Sequence, residues 1–230
     1  MREFLSKVDL TLLEASATPD DFTAMAGIAC ETGCRAVCVP MIGIYPSSLA
    51  IKKWSSDNPM RPHRVKVCAV IDFPDGNLTT MSRIWLVNNA GFSGAGECDI
   101  VMPMGRFLSN KLESLEFEFR RLMEEAGDRG VVLKLIAETG YLSDSQIIRS
   151  AEFASKYNFM WKTSTGRDPK VQIPEKARHV RLVREAFPKL KIKAAGGIRT
   201  REDVEMLFDA GADILGVSWK SAIQIADNWK

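Results

Sequence analysis

The chain has 230 residues, of which 46% are hydrophobic and 26% are charged, so it can bury a large core and is not a disordered or collagen-like polymer. Its 31 Lys and Arg residues against 29 Asp and Glu give a net charge of +2 with no basic block, which argues against nucleic-acid binding. The longest apolar runs, such as Val65 to Phe73, stop far short of the ~20 residues that a bilayer requires, so we expect no contact with a membrane.

Eight short apolar runs rich in β-branched residues predict strands. In chain order they are Phe4 to Leu10, Arg35 to Val39, Val65 to Ile71, Cys98 to Met102, Val131 to Ala137, Phe159 to Lys162, Leu190 to Ala194 and Asp213 to Val217. Helical patterns lie between them. Three of these patterns begin with a hydroxyl residue followed three positions later by an acid or amide, which predicts helix caps at Thr18, Ser143 and Thr200. Helix ends are predicted at Gly33, Gly91 and Gly211.

Eight alternations of strand and helix predict parallel pairing and a closed sheet. We therefore expect an α/β fold with one domain over residues 1–230, a (β/α)8 TIM barrel, for which the length is suitable. An open doubly wound sheet is the alternative, but it requires a glycine-rich loop after the first strand, and Thr11 to Glu14 contains no glycine. The segment from Ser55 to Arg64 is predicted to be an irregular surface connection.

Cysteine usage predicts a reduced protein. The five cysteines form no CxxC pair, and an odd number suits a disulfide framework poorly. Cys30, Cys34 and Cys38 are spaced by four residues, but the helix is expected to end at Gly33, so buried thiols are favoured over a metal site. The first ten residues, MREFLSKVDL, lack a signal-peptide pattern, and we expect a cytoplasmic protein.

Polar residues occur inside four consecutive predicted strands. They are Asp99, Lys134, Lys162 and Lys193. Burying a charged lysine costs several kcal/mol unless it is paired or neutralised, and side chains from neighbouring strands share one small space inside a barrel. The pattern therefore favours a functional cluster at the carboxyl ends of the strands over three lysines that reach independently to the surface.

Such a cluster suits Schiff-base chemistry. A free lysine has a pKa of ~10.4, and both desolvation and neighbouring ammonium groups favour the neutral amine that attacks a carbonyl. The resulting imine accepts the electron pair of an adjacent carbon–carbon bond. A carboxylate such as Asp99 can then move protons together with a lysine and a water molecule.

Glycines and hydroxyl residues follow the last three strands, where barrels commonly bind phosphate. Each glycine also has the simpler interpretation of shaping a tight turn. The candidates are Thr163, Gly166, Gly196, Gly197, Gly216 and Ser218, with charge from Arg167 and Arg199.

At these residues the sequence resembles the deoxyribose-phosphate aldolase family. The KTSTG and KAAGGIRT elements are specific in combination. The similar segments are 36–39, 65–80, 96–105, 133–144, 159–167 and 192–218.

The resemblance implies a lyase of carbohydrate metabolism. It would be a class I aldolase without metal or organic cofactor that reversibly cleaves 2-deoxyribose 5-phosphate into acetaldehyde and glyceraldehyde 3-phosphate. It identifies Lys162 with the Schiff-base lysine, Lys193 with the lysine that promotes its neutral form and relays protons, and Asp99 and Lys134 with the accompanying catalytic pair. It also implies that Asp9 and Thr11 lie near a substrate hydroxyl and that Cys38 lies close to the site.

Two departures from the family affect the phosphate end. Trp219 stands where the family has a small residue, and residues 45–64 match poorly. Two alternatives therefore stay open, which are a Schiff-base aldolase for another, unphosphorylated aldehyde adduct and a barrel that binds a phosphosugar without turnover. A Ser-His-Asp hydrolase is disfavoured, because His63 is predicted in a loop and His179 on a helix face, both solvated. A homodimer is compatible with such a barrel, and no pattern identifies an interface.

Overall fold

Eight parallel strands close into a barrel in which each strand pairs with the next and β8 pairs with β1. The computed structural model describes residues 2–60, 65–109, 112–167 and 171–229. The strands are β1 (Val8–Thr11), β2 (Ala36–Val39), β3 (Lys66–Ile71), β4 (Glu97–Val101), β5 (Val132–Ile136), β6 (Met160–Lys162), β7 (Ile192–Ala195) and β8 (Ile214–Ser218). The predicted TIM barrel is confirmed, and the closed ring excludes the open doubly wound sheet.

Of the described helices, one precedes β1, one follows β8, and the others connect consecutive strands. The helices are α1 (Arg2–Leu5), α2 (Pro19–Thr32), α3 (Ile44–Asp57), α4 (Thr80–Phe92), α5 (Met104–Leu108), α6 (Leu112–Arg129), α7 (Asp144–Lys156), α8 (Ile173–Ala186), α9 (Arg201–Asp209) and α10 (Trp219–Asp227), with 3₁₀ turns at Met41–Gly43 and Thr139–Tyr141. No helix in the described ranges is both long and apolar enough to span a bilayer.

The predicted helix caps are confirmed. Thr18, Ser143 and Thr200 each form a capping box with the third residue of the helix that follows. Gly33 closes α2 in the left-handed conformation with φ of 76°. Gly211, with φ of 105°, follows the last residues of α9. These local signals therefore fix where the crossover helices start and stop.

Three predicted boundaries are wrong. Phe4 and Leu5 belong to helix α1 rather than to the first strand, and Phe4 stacks on Trp229 with ring centroids 4.8 Å apart. Gly91 lies inside α4, where a Cβ atom would come within 2.8 Å of the Arg129 Cβ, so close helix packing explains this glycine. Residues 55–57, predicted as irregular, complete α3.

The end of that predicted connection, residues 61–64 with His63, lies outside the described residues.

Side chains alternate along each strand between the helix layer and the barrel interior. The outward side chains form the apolar core against the helices, and the largest buried one, Trp161, donates from its indole nitrogen to Ser150 Oγ over 2.9 Å. The strand register places Asp99 beside Lys134 and Lys162 beside Lys193. The predicted polar residues therefore meet inside the barrel.

Candidate active site

A cleft of about 390 Å³ opens at the carboxyl ends of the strands. It is formed by residues after β1, β6, β7 and β8, together with Phe73 from the loop after β3. Among the predicted site residues, those that line it are Thr11, Lys162, Gly166, Arg167, Gly196, Gly197, Gly216 and Ser218. Lys162 is the one lysine among the lining residues described, and its side chain is only 3% exposed. The cleft therefore presents a single amine from its floor.

Beneath this floor, seven side chains form a continuous set of ion pairs, which we call the interior ion cluster. Its members are Asp9, Arg35, Glu97, Asp99, Lys134, Lys162 and Lys193. Five of them are completely buried, Lys162 is nearly so, and Arg35 is 18% exposed. Half-exposed Lys66 approaches Glu97 at 3.1 Å from outside.

Asp99 joins the three lysines. Its Oδ1 accepts from Lys134 Nζ over 2.8 Å. Its Oδ2 accepts from Lys162 Nζ over 2.8 Å and from Lys193 Nζ over 2.7 Å. Because one carboxylate binds the amines of three successive strands, Asp99 fixes the position of Lys162 relative to the other two.

The other lysines have carboxylate partners of their own. Lys193 Nζ donates to Asp9 Oδ2 over 2.6 Å, and Lys134 Nζ lies 2.6 Å from Glu97 Oε2. Arg35 closes the cluster, since its Nε donates to Asp9 over 2.7 Å and its Nη1 donates to Glu97 over 2.8 Å. Lys134 and Lys193 are thus each held between two carboxylates.

These contacts set the charge of the buried groups. Burial acts to raise the pKa of Asp99, but Lys134, Lys162 and Lys193 outweigh it and hold that pKa well below its ordinary value. Burial likewise acts to raise the pKa of Asp9, while Lys193 and Arg35 bring it down to about 2. For Lys193, burial acts to lower the pKa and the carboxylates of Asp9 and Asp99 raise it above its ordinary value. Lys193 is therefore a cation and the two aspartates are anions at neutral pH.

The same balance holds for Lys134. Burial acts to lower its pKa, and the neighbouring anions, of which Asp99 contributes most, raise the pKa well above the ordinary value. The structure therefore places two lasting positive charges next to Lys162.

Two cysteines pack against Asp99 without reaching the cleft. Cys68 Sγ lies 3.1 Å from Asp99 Oδ1, and Cys38 Sγ lies 3.9 Å from Oδ2. The ligand atoms of Cys38, Cys68 and Asp99 lie within 4.8 Å of one another, a spacing at which a metal can bind. Both oxygens of Asp99 already accept hydrogen bonds from lysines, Oδ1 from Lys134 and Oδ2 from Lys193, and these two ammonium groups would repel a bound cation.

The glycines at the other end of the cleft adopt backbone conformations that other residues rarely reach. Gly166, Gly196 and Gly197 have φ values of 82°, 88° and 81°. A Cβ on Gly196 would lie 2.8 Å from the Gly166 Cα, so the loops after β6 and β7 are in direct backbone contact. Gly216 has another role, because a Cβ there would come within 3.0 Å of Lys193 Cε.

Polar side chains frame these glycines. The Arg167 guanidinium donates to the Leu13 carbonyl over 2.8 Å and lies over the Phe73 ring at 5.7 Å. Ser218 is exposed at the end of β8, and Arg199 also lines the cleft. Thr163 is buried, and its Oγ1 accepts a hydrogen bond from the Ala195 amide over 3.0 Å. This hydrogen bond links the end of β6 to β7.

Trp219 points away from the cleft. Its side chain packs against the hydrophobic core and lines a separate groove with Ile28 of α2. It does not appear among the cleft residues. The bulky side chain that departs from the family pattern therefore leaves the loops after β7 and β8 accessible.

Some predicted residues lie deeper than expected. Asp9 and Cys38 are fully buried and do not line the cleft, and Asp9 is connected to Lys162 through Lys193 and Asp99. His179, predicted to be solvated, is 4% exposed in α8, with Nε2 3.1 Å from Glu175. Burial lowers the pKa of His179, with Glu175 acting in the opposite direction. His179 lies outside the cleft lining and forms no hydrolase triad there.

Sequence reasoning missed Arg35, Glu97 and Cys68. The signal for Glu97 was its position two residues before Asp99, which puts both side chains on the same face of β4. Cys68 is the register partner of Cys38 on the neighbouring strand. Arg35 precedes β2 and had no comparable periodic signal.

Comparison with known proteins finds deoxyribose-phosphate aldolases that are similar to this chain in sequence and in structure. The chain is 34% identical over 223 residues to deoxyribose-phosphate aldolase of Methanocella arvoryzae, covering 96% of this chain and 94% of the relative. It is 36% identical over 218 residues to deoxyribose-phosphate aldolase of Thermus thermophilus, covering 94% and 93%. The solved deoxyribose phosphate aldolase from Aeropyrum pernix, described as a tetramer, superposes with a TM-score of 0.83 at 26% identity over 99% and 91% of the two chains. No family model matches the chain.

Proposed function

The chain belongs to the deoxyribose-phosphate aldolase family, whose members are lyases, and we propose that it reversibly cleaves 2-deoxy-D-ribose 5-phosphate. The products are acetaldehyde and D-glyceraldehyde 3-phosphate, and the cleavage proceeds through a Schiff base on Lys162. The observation that carries the proposal is the single amine on the cleft floor, held by a buried carboxylate. Because Lys134 and Lys193 lie below the floor, Lys162 is the amine that a substrate in the cleft would meet.

Charge balance in the interior ion cluster supports the assignment of Lys162 as the reactive amine. The cluster has three carboxylates, and Arg35, Lys134 and Lys193 supply three positive charges. The three carboxylates and these three positive charges therefore balance one another without Lys162. The buried carboxylates have their counter-ions from Arg35, Lys134 and Lys193, and the amine of Lys162 is left for the substrate.

The proposed reaction proceeds through an iminium ion and an enamine. The Nζ of Lys162, as the free amine, adds to the C1 aldehyde of the open-chain sugar to give a carbinolamine. The carbinolamine takes up a proton and loses water to give an iminium ion. The C3 hydroxyl loses its proton, the C2–C3 bond breaks, and its electron pair moves towards the nitrogen to form an enamine while glyceraldehyde 3-phosphate leaves. The enamine takes a proton at C2, and water releases acetaldehyde and restores the amine.

Proton movement is assigned to the groups that touch Lys162. Asp99 orients the amine, and Lys193 shares Asp99 Oδ2 with Lys162, so a proton can pass between these groups through one oxygen or a water molecule. Lys134 holds the opposite oxygen of Asp99 and keeps the carboxylate ionised. We assign the phosphate to the backbone of Gly166, Gly196 and Gly197 with Arg167 and Ser218, and the sugar hydroxyl to Thr11.

Borohydride trapping tests the nucleophile. Wild-type protein treated with acetaldehyde and borohydride is expected to gain one ethyl group on Lys162. Lys162→Ala is expected to gain none and to cleave no sugar, while Lys189→Ala, which removes an exposed lysine, behaves as wild type. Label on Lys193 in the Lys162→Ala protein would contradict the assignment.

Steady-state cleavage of 2-deoxyribose 5-phosphate beside unphosphorylated 2-deoxyribose tests the substrate. We expect kcat/KM to be at least about tenfold higher for the phosphorylated sugar, the effect of about 1.4 kcal/mol of phosphate binding. Equal efficiency would favour the unphosphorylated aldehyde adduct as substrate. Absence of both trapping and turnover would instead favour a barrel that only binds a phosphosugar.

A further inference from the structure

Lys176 is a buried lysine that the proposed mechanism does not use. It lies in the first turn of α8 and its side chain is 2% exposed. Its Nζ donates to the Ala195 carbonyl over 2.8 Å and to the Gly196 carbonyl over 2.6 Å, and it lies 3.5 Å from Ser164 Oγ. Burying a lysine is costly, so a fixed position against two consecutive carbonyl groups calls for an explanation.

These hydrogen bonds set the direction of two peptide groups. Among the described residues, the one cis peptide is Phe73–Pro74, so the peptides at Ala195–Gly196 and Gly196–Gly197 are trans. In a planar trans peptide the N–H points opposite to the C=O. Because both carbonyls face Lys176 below the loop, the N–H groups of Gly196 and Gly197 face the other way. Both glycines line the cleft.

The N–H groups of the loop have fewer partners than its carbonyl groups. Outside the strand ladder, the amides of Gly196 and Gly197 donate to no backbone carbonyl in the described part of the chain. The Ala195 carbonyl, by contrast, accepts from Lys176, from Ser164 Oγ over 2.7 Å and from Thr163 Oγ1 over 3.3 Å. The buried carbonyl groups of the loop therefore accept hydrogen bonds from side chains beneath it, while its N–H groups face the cleft. This arrangement suits the binding of an anion.

Packing leaves no room for a side chain at Gly196. A Cβ on Gly196 would meet Gly166 Cα at 2.8 Å, Ser164 Oγ at 2.9 Å and Lys176 Nζ at 3.1 Å. Lys176 thus lies directly beneath the point where the two glycine loops cross. An ammonium group at that position also adds a positive charge in surroundings of low dielectric constant, where charges interact strongly.

We propose that Lys176 is a positioning and specificity-determining residue for the phosphate group of the substrate. Lys176 turns the Gly196 and Gly197 amides into the cleft and places a buried positive charge beneath them, and both effects favour binding of the phosphate group. This inference rests on the proposed function, because it assigns the phosphate end of the same cleft. Lys176 acts through the loop and does not touch the substrate.

The test compares Lys176→Met, which removes the charge and the donor, with Lys176→Gln, which removes the charge and keeps an amide donor on a shorter side chain. Arg181→Met removes one positive charge from the exposed side of the same helix and is the matched control. Each protein is assayed for kcat/KM on 2-deoxyribose 5-phosphate and on 2-deoxyribose. Calorimetry gives the Kd of inorganic phosphate, thermal unfolding shows that the variant is folded, and borohydride trapping with acetaldehyde reports on Lys162.

In Lys176→Met we expect the ratio of the two kcat/KM values to fall about tenfold, mainly through KM of the phosphorylated sugar, as for loss of one charge-assisted interaction. The Kd of inorganic phosphate rises to a similar extent, Lys176→Gln lies between Lys176→Met and wild type, and Arg181→Met matches wild type. Should Lys176→Met not fold, Lys176→Gln carries the comparison.

An unchanged ratio and Kd in a folded variant would overturn the inference. A lower melting temperature with equal losses on both sugars would also overturn it, since that result shows a structural role only. If wild-type protein forms no imine, the proposed reaction fails, and the inorganic phosphate Kd alone then decides the role of Lys176.

Discussion

Asp9→Asn tests whether charge in the interior ion cluster stabilises the barrel. The substitution keeps the size of the side chain and removes the carboxylate that binds Lys193 over 2.6 Å and Arg35 over 2.7 Å. The pKa of Asp9 falls from 3.8 to about 2 in the folded protein, as the neighbouring cations outweigh burial. This difference corresponds to about 2 kcal/mol of stability, because each pKa unit is worth about 1.36 kcal/mol.

The sign of the pH dependence follows from the lowered pKa. A carboxylate with a depressed folded-state pKa stabilises the protein fully above its unfolded pKa, here 3.8, and this stabilisation disappears as the pH falls towards about 2. Wild type is therefore expected to exceed Asp9→Asn by about 2 kcal/mol at pH 7 and by about half of that at pH 3, where folded Asp9 is still mostly ionised.

Urea denaturation of both proteins at pH 7, 5, 4 and 3 measures the difference in the free energy of unfolding. Asp209→Asn, at an exposed position on α9, is the control and should change that free energy little at any of these pH values. A difference between wild type and Asp9→Asn that stays constant from pH 7 to pH 3 would refute the reasoning, since the effect would then come from packing rather than from charge.

Asp99→Asn should lower kcat/KM by a factor of ~10² to 10⁴, which is typical of an acid or base residue, and should retain borohydride trapping. Near-full activity would show that Asp99 acts only as an ion-pair partner. Gly216→Ala should lower the free energy of unfolding by about 1–3 kcal/mol, because the added Cβ lies 3.0 Å from Lys193 Cε. Gly27→Ala, in α2 with nothing within 4 Å of the added Cβ, should raise it by about 0.5–1 kcal/mol, and urea denaturation compares the two. Trp219→Ser should leave the preference for phosphorylated sugar unchanged in steady-state assays, whereas a marked increase would place the indole in the cleft.

Much of the barrel is predictable because parallel strands buried on both faces have short apolar runs with clear interruptions. The apolar runs predict the eight strands in their observed order. Hydroxyl residues followed three positions later by an acid or amide predict the caps at Thr18, Ser143 and Thr200. Phe4 and Gly91 were misassigned because their environment is set by tertiary partners, the Trp229 ring and the Arg129 stem. A single sequence contains no periodic signal for such contacts.

The candidate site divides in the same way. Asp99, Lys134, Lys162 and Lys193 stand out because charge inside an apolar strand is unusual. Lys176 gives no such signal, because a lysine in the first turn of a helix is ordinary until the fold places it against the Gly196 carbonyl. The outward direction of the Trp219 side chain was likewise open in the sequence and follows from its packing beside Ile28.

The interior ion cluster also divides unequally between the two halves of the barrel. Strands β1 to β4, with Arg35 just before β2, contribute all three carboxylates and one cation, while β5 to β7 contribute only lysines. The first half therefore brings two excess negative charges, and the second half brings positive charges only.

The charges of the two halves are therefore complementary to each other. Two copies of the same half would repel each other. Joining two first halves, or two second halves, would bury like charges without partners, which costs several kcal/mol per ion. Asp9 and Lys193 are 184 residues apart in the chain, so their pair forms only when the ring closes correctly. The same residues that position an amine for chemistry thus disfavour barrels assembled from two like halves.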